Sequence, residues 1–497
     1  MPTSTLPSRP SLRLYLVVYA FVSLLIDFGG IHIFHHSDTF VFSLASLQKW
    51  TVFFWEQDRV GMFFPWLTCW CSDPLSTILI QTWLTIFVGL CVPLLLVELF
   101  DPCPTGRAAA TLANTLLLAV APTLIRSNVL IDTCYPQGMV FGLTGLLLYF
   151  GGSGRLTAWR CMGALFCFGL AHWAYLGIVV WLFPLAVGKS LLNCRGLRLG
   201  RGAMVLVFLT LAFGFGFWMS RHVRDANPLT VNPTPMGAVP LDHLPRVLKQ
   251  FVEHPFDFEG MTLWYSLAGG LGLSGILGLA LRRHWPGRWW LAVLFWIAVA
   301  AASELVAVGS RRWAELNGTP PRHILATLIS VPLLGCLLAA APIREWGNGK
   351  GRWWLAGMGV ASLLLAGLCQ FGMPSIARPT ADIHAIGGSL TREVMEAKVD
   401  AMGGDYWTVW RTLFDATLWQ GTSCPPIYGI TPRGVVFHKD WARTNPEGMQ
   451  VAVPKTELDR KEFFATVARY GLSQPLLTTE KGSLEIYTLR PAPVLMP

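Results

Sequence analysis

The feature that most restricts this chain is a series of long apolar stretches that recur as far as residue 372 and then stop. A helix needs about 20 mostly apolar residues to cross roughly 30 Å of hydrocarbon. The candidate spans are 12–32, 75–99, 108–126, 137–152, 161–173, 174–187, 203–220, 263–281, 289–309, 323–342 and 353–372. Composition agrees: 53% of the 497 residues are hydrophobic and 13% charged, against about 25% charged in a soluble domain. The expected fold class is therefore an α-helical polytopic membrane protein of about eleven transmembrane helices, residues 1–372, followed by a C-terminal extracytoplasmic α/β domain, residues 373–497. No small-residue cleavage site follows the first stretch, which reads as a retained signal-anchor.

The connecting segments alternate in chemistry. One set is short and basic, including Arg107, Arg155 and Arg160, then Lys189, Arg195, Arg198 and Arg201, and later Arg282, Arg283, Arg344 and Lys350. The positive-inside rule makes this set cytoplasmic, so the N-terminus is inside. Much of the formal +9 charge sits in these loops, and it is read as topology rather than as nucleic-acid binding. The other set, 33–74, 127–136, 221–262 and 310–322, is longer and holds most of the loop acids. An odd number of spans leaves the tail outside, in a membrane read as the bacterial plasma membrane. Residues 161–187 have basic loops on both flanks but the length of one straight span. A hairpin of two short helices breaking near Gly169-Leu170-Ala171-His172 satisfies both flanks, and such breaks are tolerated where they are buried or line a cavity. The alternative, a single long span, inverts every later segment and puts the basic loops around 282 and 344 outside.

The tail is mixed in character. Leu390 to Val399 reads as helix, Asp405-Tyr406-Trp407 opens an amphipathic segment, and Ile427 to Ile430 reads as a short strand ahead of a turn at 431–434. Residues 457–470 read as helix with Phe463, Phe464 and Val467 at core spacing, and Leu484 to Leu489 as a closing strand. Cys69, Cys71, Cys134 and Cys424 fall outside, where a disulfide is possible, although small apolar filling is the simpler account.

Residues able to carry chemistry gather on the outer face. Asp38, in His35-His36-Ser37-Asp38-Thr39, follows the first span and precedes an apolar run that is expected to lie along the membrane surface. A carboxylate there can act as general base, bind a divalent cation, or merely cap the surface helix. Asp132 repeats the theme in the second outer loop, where the plain alternative is a solvated loop acid, and Asp27 reads as structural or as a support behind the site residues. Glu304 lies inside a span, where a functional role is the default reading. Arg311, Arg312, Arg322 and His323 flank outer span ends, and arginine suits bidentate contact with phosphate, whether on a lipid-linked substrate or on ordinary headgroups. His172 either faces a cavity or is buried and satisfied. The absence of a Walker motif, of GxGxxG ahead of a helix, and of HExxH leaves ATPases, dinucleotide enzymes and zincins without support.

These short motifs, with Gly169 to His172 and the α/β tail, resemble the GT-C superfamily of membrane glycosyltransferases, which includes protein O-mannosyltransferases and the lipid A aminoarabinose transferase. The resemblance implies catalysis on the outer face and a polyprenyl-phosphate-linked sugar donor. It implies Asp38 as catalytic carboxylate, Asp132 as a second acid, and Arg322 as a donor-phosphate contact. His36, His323, Arg311, Arg312 and Glu304 join them as substrate-binding candidates. The acceptor is a lipid, a glycan or a protein, and membrane lipids are partners. The first loop has a single Asp where many members have an acidic pair, so a divalent cation is a candidate cofactor rather than a requirement. The runner-up classes are a secondary transporter or lipid flippase, which shares broken helices and intramembrane acids, and a polysaccharide polymerase or ligase.

Overall fold

The computed structural model describes residues 11–48, 50–53, 61–100, 103–131, 134–151, 157–193, 199–226, 237–281, 288–316, 321–344, 349–421, 425–432, 448–469 and 471–490. In chain order the helices begin with α1 (Leu12–Asp27), α2 (Ser37–Leu47), α3 (Phe63–Thr68), α4 (Pro74–Phe100), α5 (Pro104–Val120) and α6 (Thr123–Leu130). Next come α7 (Cys134–Phe150), α8 (Ala158–Ala174), α9 (Val179–Leu192), α10 (Leu199–Ala226) and α11 (Leu244–Glu253). The series closes with α12 (Met261–Leu281), α13 (Arg288–Gly309), α14 (Arg312–Leu316), α15 (Leu325–Arg344) and α16 (Gly349–Phe371).

Each expected span thus has its helix. Among the described residues, five helices, those containing Pro74–Phe100, Gly202–Arg224, Met261–Leu281, Trp290–Gly309 and Arg322–Pro342, are long and apolar enough by length and composition to cross a membrane. The chain is a multi-pass membrane protein. The first span is shorter than expected because α1 ends at Asp27, ahead of Phe28-Gly29-Gly30, where two glycines remove helix propensity. The hairpin within 161–187 is present, but its break falls later than expected. Gly169 to His172 lie inside α8, and the helix ends at Tyr175, which is extended (φ −150°, ψ 104°) and leads through a 3-10 turn, Leu176–Ile178, into α9.

The chain divides into two compact units: Met1–Ile26, Thr85–Phe217 and Thr234–Met373 form the first, and Asp27–Leu84, Trp218–Pro233 and Pro374–Pro497 the second. In the first unit, helices meet through small residues that let backbones approach. A Cβ at Gly275 of α12 would lie 2.1 Å from the Leu338 carbonyl oxygen, and one at Gly335 of α15 would lie 2.2 Å from that of Ala268. Apolar lipid offers no hydrophobic gain for helix association, so such close dispersion contacts carry it. Polar pairs add direction: Tyr19 to Thr111 at 3.0 Å joins α1 to α5, and Thr115 to Ser362 at 3.3 Å joins α5 to α16.

In the second unit, the tail contributes α17 (Arg378–Ala397), α18 (Tyr406–Gln420) and α19 (Glu457–Arg469). Its strands are β1 (Ala401–Gly403), β2 (Tyr428–Ile430), β3 (Met449–Pro454), β4 (Leu476–Lys481) and β5 (Leu484–Leu489). They form one sheet in the order β2-β1-β3-β5-β4, parallel from β2 to β3 and antiparallel from β3 to β4. The helix expected from Leu390 is the second half of α17, which bends at Gly388 (φ 67°), a conformation glycine adopts without strain. In α19, Phe463 and Val467 are buried as their spacing predicts, whereas Phe464 is 42% exposed. One residue on is about 100° round a helix, which carries Phe464 off the core face.

Helix α2, expected on the membrane surface, is instead walled in by protein. Phe40, Val41 and Leu44 are buried in one core with Ile383, Trp410 and Phe414, and the Phe40 and Phe414 rings stack at 5.1 Å. Its apolar run is satisfied by the tail domain's own core, which removes the need for lipid. Cys69, Cys71 and Cys134 are free thiols, while Cys424 lies outside the described residues. The turn expected at 431–434 lies outside them from Arg433 onward.

Candidate functional site

In the second unit, two helix N-termini meet. Asp405 caps α18 by accepting from the backbone N–H groups of Trp407 and Thr408 at 3.0 and 3.3 Å, which fixes Tyr406 and Trp407 in the first turn. Facing them is the first turn of α2. The Tyr406 hydroxyl donates to Asp38 Oδ1 at 2.5 Å, and the Ser37 hydroxyl donates to the Trp407 carbonyl at 2.8 Å. Asp38 is not the cap of its own helix: that position is His36, which makes no side-chain capping bond. Its carboxylate is 25% exposed, and His36, 28% exposed, lies with Nδ1 3.9 Å from Oδ2. The His36 ring meets Trp407 edge-on at 6.1 Å. One oxygen of Asp38 is thus held by a phenol and the other stands near a half-exposed imidazole. At a helix N-terminus the backbone dipoles also favour the carboxylate.

Behind this turn lies a buried polar chain. His32 Nε2 is 2.9 Å from the Asp27 carbonyl and 3.2 Å from Asp27 Oδ1, and His32 Nδ1 is 2.8 Å from His35 Nε2. Thr82 Oγ1 approaches the same His35 nitrogen at 3.3 Å. Burial, with His32 and His36 alongside, holds the His35 imidazole well below its ordinary pKa, so the ring is neutral at physiological pH. Further along α2, Gln81 of α4 bonds Ser43 and Ser46 at 3.1 and 2.8 Å and Thr68 at 2.6 Å.

In the first unit, Arg322 and His323 stand half-buried in a 3-10 turn, Pro321–Ile324, that leads into α15. The Tyr135 hydroxyl and His323 Nδ1 are 2.9 Å apart, and Tyr135 packs edge-on to Tyr175 at 4.7 Å. The helix break at Tyr175 and the turn bearing His323 therefore share one support. Glu304, 2% exposed, accepts from the Thr327 backbone N–H at 2.6 Å and the Thr327 hydroxyl at 2.8 Å. It supplies, from a neighbouring helix, the acceptor that a cap residue gives the third N–H of a helix. Arg311 and Arg312 are exposed beyond α13, where Arg312 N–H donates to the Gly237 carbonyl at 3.0 Å and Val239 N–H to that of Ser310 at 2.8 Å. His172 is 2% exposed and hydrogen-bonds the Phe168 carbonyl through Nδ1 at 2.7 Å.

The anticipated residues are thus divided: Asp38 and His36 belong to one unit, and Glu304, Arg311, Arg312, Arg322 and His323 to the other. Asp132 lies outside the described residues, as do residues 54–60 of the first outer loop. A divalent cation at Asp38 would find His36 beside it, but the described residues form no group of three or more His, Cys, Asp or Glu able to hold a metal. Sequence reasoning missed Tyr406, Tyr135 and Tyr175. Asp405 gave a partial signal, because a cap locates the first turn that Tyr406 occupies.

No protein-family model and no curated protein matches the chain. Among solved structures, it is similar to the crystal structure of ArnT from Cupriavidus metallidurans in the apo state, at 13% identity and a TM-score of 0.45, over 98% of this chain and 98% of that one.

Proposed function

We propose that this protein is a membrane glycosyltransferase that moves a sugar from a polyprenyl-phosphate donor to an acceptor on the extracytoplasmic face, with Asp38 as the catalytic carboxylate. The observation that carries the reading is Asp38 itself: a carboxylate on a buried helix, oriented by the Tyr406 phenol at 2.5 Å and still a quarter exposed. Such a group can take the proton of an acceptor hydroxyl as that oxygen attacks the anomeric carbon. Tyr406 holds one oxygen, so the other is left to the incoming hydroxyl. The sugar–phosphate bond breaks as the new glycosidic bond forms, with inversion, and the phosphate leaves with the bonding pair. Arginine is suited to that departing charge, and Arg322 is kept as the donor-phosphate contact of this proposal. Asp132 is kept as the second acid of this proposal.

The transporter reading draws on Glu304 as an intramembrane acid, but both bonds to Glu304 Oε2 come from the first turn of α15. The direct test is to incubate purified protein with defined polyprenyl-phosphate sugars and measure release of polyprenyl phosphate. Turnover abolished in Asp38→Asn supports the assignment, and full turnover in that variant sinks it.

A further inference from the structure

The first turn of α2 has no side-chain cap of its own. The farther part of the helix is fixed by Gln81, and Ser37 and Asp38 are held in front by Trp407 and Tyr406, so the remaining constraint on how Asp38 is presented is what holds residues 31–36 from behind. That support is the chain running from Asp27 through His32 and His35 to Thr82. His35 lies one residue before the cap position and is 6% exposed.

The hydrogen bonds along this chain define proton positions as well as distances. His32 Nε2 lies 2.9 Å from the Asp27 carbonyl, which can only accept, so that nitrogen carries a proton, with the Asp27 carboxylate 3.2 Å away. One more proton lies between His32 Nδ1 and His35 Nε2. Placed on His35, it leaves His32 neutral and His35 Nδ1 a bare acceptor. Placed on His32, it makes a cation beside Asp27, and the neutral His35 must then hold its own proton on Nδ1. In both cases His35 Nδ1 is buried without a hydrogen-bond partner among the described residues. A stranded N–H donor is the rarer outcome in folded proteins, which favours the bare acceptor. Both rings are then Nε2–H tautomers, and the Thr82 hydroxyl can share the His35 N–H as a second acceptor.

We propose that His35 is a positioning residue, locked as a neutral Nε2–H tautomer by the Asp27–His32 pair, which sets the angle at which the first turn of α2 presents Asp38 and His36. Its consequence for turnover rests on the transferase reading above; its proton arrangement does not.

Two measurements on the full-length protein in detergent test this. In the first, histidine is labelled with 15N and the His35 ring is assigned by its loss in His35→Gln. The expected signature is a protonated Nε2 and an unprotonated Nδ1, and a proton on Nδ1 overturns the proposal. In the second, His35→Leu removes the donor to His32 while nearly keeping the volume. It is expected to lower kcat by about 100-fold with KM changed less than about twofold, as for a misplaced catalytic group. His35→Gln, whose amide can still donate to His32, is expected to recover most of that loss. Unchanged kcat in His35→Leu, or no recovery in a folded His35→Gln, overturns the positioning role. If no polyprenyl-phosphate sugar is turned over by the parent protein, the transferase reading fails by itself. Amide exchange in the first turn of α2 then decides the inference: faster exchange in His35→Leu upholds it, and unchanged exchange rejects it.

Discussion

The two units use a carboxylate in opposite ways. Glu304, in the helical unit, is almost fully buried, and its Oε2 takes both the backbone and hydroxyl hydrogens of Thr327. Asp38, in the mixed unit, is a quarter exposed, and its one hydrogen-bond donor among the described residues is the Tyr406 hydroxyl. An acid inside a membrane helix is costly unless its oxygens are engaged, and Glu304 meets that cost by serving as a cap. An acid at a helix entrance is already favoured by the backbone dipole and needs only to be aimed. The comparison teaches that a span-embedded acid can be structural, while a modest loop acid keeps the spare capacity that chemistry requires.

The comparison can be broken by substitution. Asp38→Asn is expected to lower sugar transfer by about 10²- to 10⁴-fold, the usual contribution of a positioned acid or base, with the melting temperature in detergent nearly unchanged. If instead stability collapses and transfer per folded molecule persists, the roles assigned to the two acids are reversed. Glu304→Leu is expected to do the opposite. It strands the Thr327 N–H and hydroxyl and costs about 1–3 kcal/mol, read as a lowered melting temperature, while transfer per folded molecule stays close to parent. Tyr406→Phe keeps the ring and loses the bond to Asp38, and about a tenfold drop in kcat is expected, with KM little moved. The smallest effect lies at the surface of the tail. Glu393 accepts from the Ser483 N–H and hydroxyl, both at 2.7 Å, which hold its carboxyl below the ordinary glutamate range. A depressed folded-state pKa stabilises above the unfolded pKa, and the gain is lost as pH falls through the folded value. Glu393→Ala should therefore cost at most about 0.5 kcal/mol at neutral pH, with the difference from parent vanishing once acid protonates the folded-state carboxyl.

What could be read from the chain follows the reach of each signal. Hydropathy is local, so a helix stands at every expected span, and β5 runs over the residues expected, Leu484–Leu489. A cap residue is equally local, which is why Asp405 marked the start of α18. Strand β1 is only Ala401–Gly403, too short to display alternation, and β4 shows two exposed leucines, Leu476 and Leu477, against the usual inward rule. The hairpin break was legible in kind from its flanking charges but not in position. Tyr175 is extended by its own backbone angles and packs against Tyr135, and neither property leaves a mark in local composition.

By itself the sequence determined that the chain is a multi-pass membrane protein with a mixed C-terminal region, because the cost of placing polar residues in hydrocarbon is charged residue by residue along the chain. It also marked Asp38 as an acid at the mouth of a span. Only the tertiary structure decided that α2 is enclosed with the tail rather than laid on lipid, and that Glu304 is occupied as a cap. It alone brought Tyr406 onto Asp38 across 368 residues of sequence. Those outcomes depend on which surfaces meet when the core closes, a pairing that no single segment encodes.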